Sequence, residues 1–237
     1  MTEDRICGAS AVAALFARRP DAVRRLFYIE EARQAAGPFC AVLARAHRPY
    51  RMLPEEELAR IAGTIHHGGI CAVAEARDIP LLDAAAPPRH QLLLALDGIG
   101  NPHNLGAIAR SAAFFGVTSV LLHDVPGAAM PSDAAFRVAE GGLEYVDLYR
   151  TGDLARALMA LQPHYRSVAA TLARNAPSPN ALPRDRPTAL VLGHEENGVS
   201  PEVLAACRRQ VRLAPRGALQ SLNVAQAAAV LLYAFTR

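Results

Sequence analysis

Five side chains in this sequence have types and settings that suit them to chemistry: Asn104, Arg110, Glu195, Ser221 and Asn223. The three segments that carry them each follow an apolar run of strand length, the place where open α/β sheets build their ligand sites. In the first, from Leu96 to Arg110, a polar loop delivers Asn104 and then Arg110 on an otherwise apolar helix, Leu105 to Gly116. An arginine enclosed in such a helix needs an anionic or hydrogen-bonding partner. A ligand or an ordinary structural ion pair would each supply one. Gly98 and Gly100 open the segment like a dinucleotide loop, but His103 occupies the place of the third glycine, and nicotinamide-type binding is set aside.

The second segment runs from Leu190 to Pro201. Gly193 and Gly198 allow close backbone approach to a ligand, and the Glu195 carboxylate accepts hydrogen bonds from hydroxyl or amino groups. Turns commonly hold the same residue types, so this segment alone decides nothing. The third, Leu213 to Val230, passes through Pro215 and Gly217 into a helix whose start carries Ser221 and Asn223. These are natural capping residues, and capping alone would explain them. The helix from Leu222 to Phe235 is Ala-rich and apolar almost all round, so it must be covered on more than one side, which points to a homodimer.

The elements that must position these residues follow from periodicity. Runs at Leu92–Leu96, Ser119–Leu122, Tyr145–Leu148, Ser167–Ala170, Ala189–Leu192 and Gln210–Leu213 read as strands with helices between most of them. That alternation marks a largely parallel sheet covered on both faces. Asn175 to Pro187, with four prolines, reads as an exposed crossover. Ahead of this lies a smaller α/β region: helix Ala9–Arg18, strand Leu26–Ile29, helix Pro38–His47, strand Tyr50–Leu53, a helix opened by Pro54 and Glu55–Glu57, and strand Ile70–Ala74. The proline-bearing stretch 79–90 reads as a linker between a first domain, 1–78, and a second, 91–237.

Composition narrows the function classes. Of 237 residues 51% are hydrophobic and 20% charged, enough apolar material for packed cores and not the balance of a disordered chain. The apolar run Ile6–Ala17 is shorter than a membrane span and lacks a basic leader, so neither a signal peptide nor a membrane anchor is expected. Four scattered cysteines without a CxxC pair suggest neither zinc nor a disulfide framework and fit the cytoplasm. His66 and His67 read as loop residues for the same reason. All 25 basic residues are arginine. Eight of them (18, 19, 24, 25, 33, 45, 48 and 51) give the stretch from Phe16 to Arg51 a local positive excess that suits either phosphate contact or a solvated face.

Taken together, the three segments resemble the ordered motifs of the SpoU (TrmH) family of the SPOUT superfamily: Asn-x-Gly-x-x-x-Arg, then Gly-x-Glu-x-x-Gly, then Ser-Leu-Asn-Val followed by small residues. The resemblance covers Leu92 to Phe235. The first domain is similar to that family's RNA-binding domain, through its α/β order and Gly63 to Ile70. The chain departs from the usual pattern at Glu196, where glycine is common, and at Leu213-Ala214-Pro215-Arg216-Gly217, where Ile-Pro-Met-x-Gly is common.

The resemblance implies an α/β fold with a trefoil-knotted, mostly parallel catalytic sheet behind a small N-terminal α/β RNA-binding domain. It implies transfer of a methyl group from S-adenosylmethionine to a ribose 2′-hydroxyl of tRNA or rRNA, with no metal. Arg110 would be catalytic, with Asn104, Glu195, Ser221 and Asn223 positioning it, the ribose and the cofactor. Gly193, Leu213, Gly217 and Leu222 would hold the cofactor, in a site completed by dimerisation. A non-catalytic RNA-binding protein that kept the fold would not need the five polar residues together.

Overall fold

The computed structural model describes residues 3–237. They divide into two compact units. In the first, β1 (Glu3–Cys7), α1 (Ala9–Arg18), β2 (Val23–Tyr28), α2 (Arg33–Arg45), β3 (Tyr50–Met52), α3 (Glu55–Ala62) and β4 (Ile70–Glu75) form a four-stranded sheet with its helices, in strand order β1-β4-β2-β3. β4 is central because its ICAVA run is apolar on both faces, and all five of these residues are buried. It pairs antiparallel with β1 and β2. α3 starts with Glu55, Glu56 and Glu57, which favour the positive end of the helix dipole, and stops at Gly63 in the left-handed region.

The second unit starts at Ile79 and contains β5 (Leu92–Asp97), α4 (Pro102–Phe114) and β6 (Ser119–His123). The chain then makes α5 (Asp133–Ala139), and Pro131–Tyr145 groups with the first unit. There Gly141, at φ +94°, lies where a Cβ would stand 2.7 Å from the Ala14 Cβ. Beside it the carboxylate of Glu144, 4% exposed, accepts two 2.8 Å hydrogen bonds from Arg19.

β7 (Asp147–Thr151), α6 (Leu154–Ala160), β8 (Arg166–Ala170), β9 (Thr188–Gly193), α7 (Pro201–Ala206), β10 (Arg209–Val211) and α8 (Val224–Thr236) complete the second unit. Its six strands run parallel in the order β10-β8-β9-β5-β6-β7. β5 and β9 lie in the middle, and every residue of both is buried. The chain builds outward from β5 through β6 and β7 and returns to the other side of β5 with β9. The loops after β5 and β9 therefore flank the point where strand order reverses, the crevice in which doubly wound sheets bind ligands.

Several elements differ from the sequence expectation. β1 was not anticipated, because an edge strand needs only one apolar face and Glu3, Asp4 and Arg5 mask it. α2 starts five residues before Pro38 and carries that proline inside. β7 begins two residues later than the apolar run suggested, in register with β6 from Ser119↔Asp147. The sequence placed Pro131–Tyr145 in the second domain and 79–90 in a linker. In the structure the former is compact with the first unit, while Leu82 and Arg150 bond backbone to backbone within the second.

Candidate active site

The loop after β5 turns through Gly98 and enters α4 at Asn101, whose side chain caps the helix by accepting from the His103 N–H at 2.8 Å. The loop after β9 is pinched shut by His194 and Gly198, which exchange backbone hydrogen bonds of 2.9 and 2.8 Å. This closure requires glycine at 193, since a Cβ there would lie 2.0 Å from the Gly198 carbonyl carbon. The pinch aims Glu195 at the first loop. Its carboxylate accepts from the Gly100 N–H at 3.2 Å, the Asn101 N–H at 3.2 Å and the Asn104 Nδ2 at 2.7 Å. Asn104 in turn accepts at 3.2 Å from Asn223 Nδ2, and Asn223 caps α8 by accepting from the Ala225 N–H at 2.8 Å.

One relay, Glu195 to Asn104 to Asn223, thus joins all three segments that the sequence singled out. Burial alone would raise the Glu195 carboxyl, but the Asn104 amide and the backbone N–H groups of Glu195, Gly100 and Asn101 outweigh it. They hold the group below the usual glutamate range.

Arg110, Ser221, Leu222, Gly217 and Leu213 lie outside the hydrogen bonds just described. Arg110 is exposed, which corrects the expectation of an arginine enclosed by its helix. α4 buries Leu105, Gly106, Ile108, Ala109 and Ala112, and Arg110 falls on the opposite stripe. It lies six residues past Asn104, about 9 Å along the axis and roughly 120° around it. Ser221, Leu222 and Gly217 are exposed on the loop before α8, Leu213 is half-buried and Gly193 is buried.

Sequence reasoning missed a second cluster at the same strand ends. Asp97, 4% exposed, closes β5 and accepts from the backbone N–H and the hydroxyl of Ser200 at 2.7 and 2.8 Å. Its other oxygen lies 2.8 Å from Nδ1 of His123, the last residue of β6. The signal was present: a carboxylate ending an all-apolar strand must find donors. Nearby, burial first and the Asp97 charge second push the Cys207 thiol up to about 12, so it is inert at neutral pH. Among the described residues, no group of three or more His, Cys, Asp or Glu is placed to hold a metal ion, and no helix is long and apolar enough to cross a membrane.

The arginine-rich stretch of the first unit is largely engaged within that unit. Arg19 holds Glu144, Arg24 pairs with Glu75, Arg25 with Glu3 and Arg33 with Glu30, and Arg48 donates to the carbonyls of Pro20 and Val23. Arg18, Arg45 and Arg51 stay exposed. His67 is a buried loop residue whose Nδ1 accepts from the Gly69 N–H at 3.1 Å.

Comparison with known proteins matches this geometry to a family. A protein from Haemophilus influenzae named "Uncharacterized tRNA/rRNA methyltransferase" is 36% identical over 162 residues, which is 68% of this chain and 46% of that protein's length. The 23S rRNA (guanosine-2′-O-)-methyltransferase RlmB of Acinetobacter baylyi is 31% identical over 242 residues, 95% of this chain and 94% of its own. Among solved structures, a putative RNA methyltransferase of the TrmH family from Porphyromonas gingivalis superposes with a TM-score of 0.75 at 26% identity, covering 98% of this chain and 89% of that one. The family model for RNA 2′-O ribose methyltransferase substrate binding matches residues 5–80. Residues 91–233, which contain the whole Glu195 relay, match the SpoU rRNA methylase family, and the chain belongs to that family.

Proposed function

We propose that this chain methylates the 2′-hydroxyl of a ribose in ribosomal or transfer RNA, with S-adenosylmethionine as methyl donor. The observation that carries the reading is the relay through Glu195, Asn104 and Asn223, which gathers three segments at the strand-order reversal and needs all three polar side chains. Relatives named as 23S rRNA 2′-O-methyltransferases support ribosomal RNA as the first substrate class to test.

The cofactor fits the loop before α8. Among the described residues, the backbone from Leu213 to Leu222 makes no backbone hydrogen bond to the rest of the chain. Its amides and carbonyls are free to hold an adenosine, with Gly217, beside which a Cβ would meet nothing, keeping the approach open and Gly193 letting the neighbouring pinch close. When bound, S-adenosylmethionine supplies a methyl group activated on a sulfonium. The chain's task is to present the ribose hydroxyl in line with that methyl and to dispose of its proton, because a neutral hydroxyl is a poor nucleophile. A guanidinium stays protonated and is no ordinary base. Arg110 works together with a substrate phosphate, its planar fork fixing the oxygen that takes up the proton. Ser221 and Asn223 orient the ribose, while Glu195 stays ionised and holds Asn104 in place.

The proposal includes a trefoil knot, with the chain after β10 threaded past the 171–187 segment. Support comes from both ends of the C-terminal stretch. Arg212 bonds the Pro177 carbonyl at 2.9 Å, and Arg184 donates to the Ala234 carbonyl with its guanidinium over the Phe235 ring. It also includes a homodimer, supported by exposed Phe114, Val230 and Tyr233 on the packed pair α4 and α8; sedimentation at micromolar concentration tests it. The proposed location is the cytoplasm, with the four cysteines as free thiols. The deciding experiment is ribose-methylation mapping of total RNA from cells with and without the protein. A site lost without the protein and restored by it is expected; an unchanged map would overturn the reading.

A further inference from the structure

Two neighbouring cavities of the second unit lie at the amino ends of its strands, away from the loops just described. One, of about 430 Å³, is lined by Gln162, Tyr165, Arg166, Arg186, Arg208 and Arg209. Four of the six are arginines and none is acidic. Arg166 is balanced by Asp185, outside the lining, at 2.7 Å. Arg186 and Arg208 are held differently. Arg186 Nη2 donates to the backbone oxygen of Gln162 at 2.7 Å, and Arg208 Nη2 donates to its Oε1 at 2.6 Å.

A single neutral residue therefore fixes two guanidinium groups on one wall, where they repel each other and present their remaining N–H donors outward. Arg209, the exposed first residue of β10, adds a third positive charge. The neighbouring carboxylate Asp185 is already paired with Arg166, so the cluster keeps a positive excess that an anion would relieve. Guanidinium forks match phosphate oxygens in a bidentate manner.

The track is longer than one phosphate. Tyr165 also lines a neighbouring cavity of about 600 Å³ that contains Arg89, His90 and His164. Arg186 precedes β9 and Glu195 follows it, so about 25–30 Å of extended chain separates the cluster from the proposed methyl-transfer loops. A ligand that reaches both is a polymer. We propose that the amino edge of this sheet is a second RNA-docking surface, on which Arg186, Arg208 and Arg209 grip the phosphate backbone of an RNA whose target ribose lies at the carboxyl edge. The proposal rests on the methyltransferase reading for the identity of that RNA, and its test is read by binding alone.

The full-length chain and a triple variant, Arg186→Gln with Arg208→Gln and Arg209→Gln, are titrated with deproteinised 23S rRNA at several salt concentrations. Loss of three phosphate contacts is expected to make the slope of log affinity against log salt shallower by about 2–3. Affinity for S-adenosylhomocysteine should not change. The single variant Arg209→Gln, whose exposed side chain makes no hydrogen bond or ion pair among the described residues, should lower the slope by roughly 1 and guards against misfolding of the triple variant. Lysine at all three positions should keep the slope and lose part of the affinity. Equal slopes and affinities for wild type and both glutamine variants would overturn the proposal. So would competition by millimolar inorganic phosphate that abolishes all of the difference between them, since that marks a small-anion site. Intact binding without methyl transfer would count against the functional reading and leave this surface standing.

Discussion

Replacing Glu195 with glutamine changes one atom and isolates what the carboxylate does. Its Oε1 accepts from the Asn101 N–H and the Asn104 amide, and its Oε2 from the Gly100 N–H. Glutamine keeps one oxygen. With that oxygen facing Asn101 and Asn104, its amide nitrogen confronts the Gly100 N–H, donor against donor. One charge-assisted bond is lost and two become neutral, and such bonds differ by roughly 1 kcal/mol each. The Glu195 side chain is 21% exposed, so water screens part of the loss, and a net cost of about 1–3 kcal/mol remains. Because the relay orders loops and not a core, the cost should appear in the site and not in global stability. Affinity for S-adenosylhomocysteine by calorimetry, or kcat/KM on a confirmed RNA, should fall roughly 5- to 150-fold, with Tm nearly unchanged. The pH dependence has a definite sign. The folded pKa is lowered, so the stabilisation is fully present above the ordinary glutamate range and disappears only as pH falls through the lowered value. Wild-type cofactor affinity should therefore show no pH dependence arising from Glu195 between pH 7 and about pH 5. A glutamine variant with wild-type affinity and turnover would refute the view that this carboxylate organises the site.

Other perturbations test different parts of the molecule. Gly193→Ala forces its Cβ against the Gly198–Val199 backbone, at 2.0 and 2.1 Å, and should break the His194–Gly198 pinch at a cost of about 1–3 kcal/mol, lowering Tm by several degrees and cofactor affinity with it. Arg110→Ala should abolish methyl transfer while leaving S-adenosylhomocysteine affinity nearly unchanged, with lysine a poor rescue; near wild-type turnover of the alanine variant would show that another residue handles the proton. Arg19→Ala leaves the Glu144 carboxylate buried without its two 2.8 Å donors and should cost about 3–5 kcal/mol, read as early urea unfolding of the chain.

Much of the site was legible because ligand loops in such sheets follow strand ends, and strand ends could be read from apolar runs. Gly193, Asn104, Glu195 and Asn223 each stood out as polar or glycine residues immediately after such a run or at a helix start. Their connections were not legible. Two of the three donors to Glu195 are backbone N–H groups of Gly100 and Asn101, and a backbone donor has no side-chain signature. Asp97 and His123 were passed over because each closes an apolar strand as its last residue, although buried polar groups at such positions require partners. β1 was hidden by three charged residues in a five-residue edge strand, and its pairing with β4, from Glu3↔Glu75 to Cys7↔Cys71, is a long-range contact that no local pattern encodes.

The exposure of Arg110 is the finding most at odds with a site contained in one chain. Asn104 and Arg110 leave the same helix on different sides. Asn104 meets Glu195 and Asn223, whereas Arg110 shares a stripe with Phe114, four residues on and 82% exposed. α8 packs beside α4 and adds the half-exposed Tyr233, whose ring lies 6.0 Å from that of Phe115. An apolar patch of this kind is costly in water unless something covers it. In the proposed dimer the covering surface is a second copy, and Arg110 is carried into the interface with the aromatics around it. The arginine of one protomer then serves loops organised by the Glu195 of the other, which gives one helix two polar positions on different faces. The argument has a direct consequence for mixed dimers. An Arg110→Ala protomer and a Glu195→Gln protomer, each impaired alone, should regain one intact site of the two in every mixed dimer, or roughly one site in four of the whole after equal amounts are mixed and reassociated at random. No recovery on mixing would place both residues in the same protomer's site.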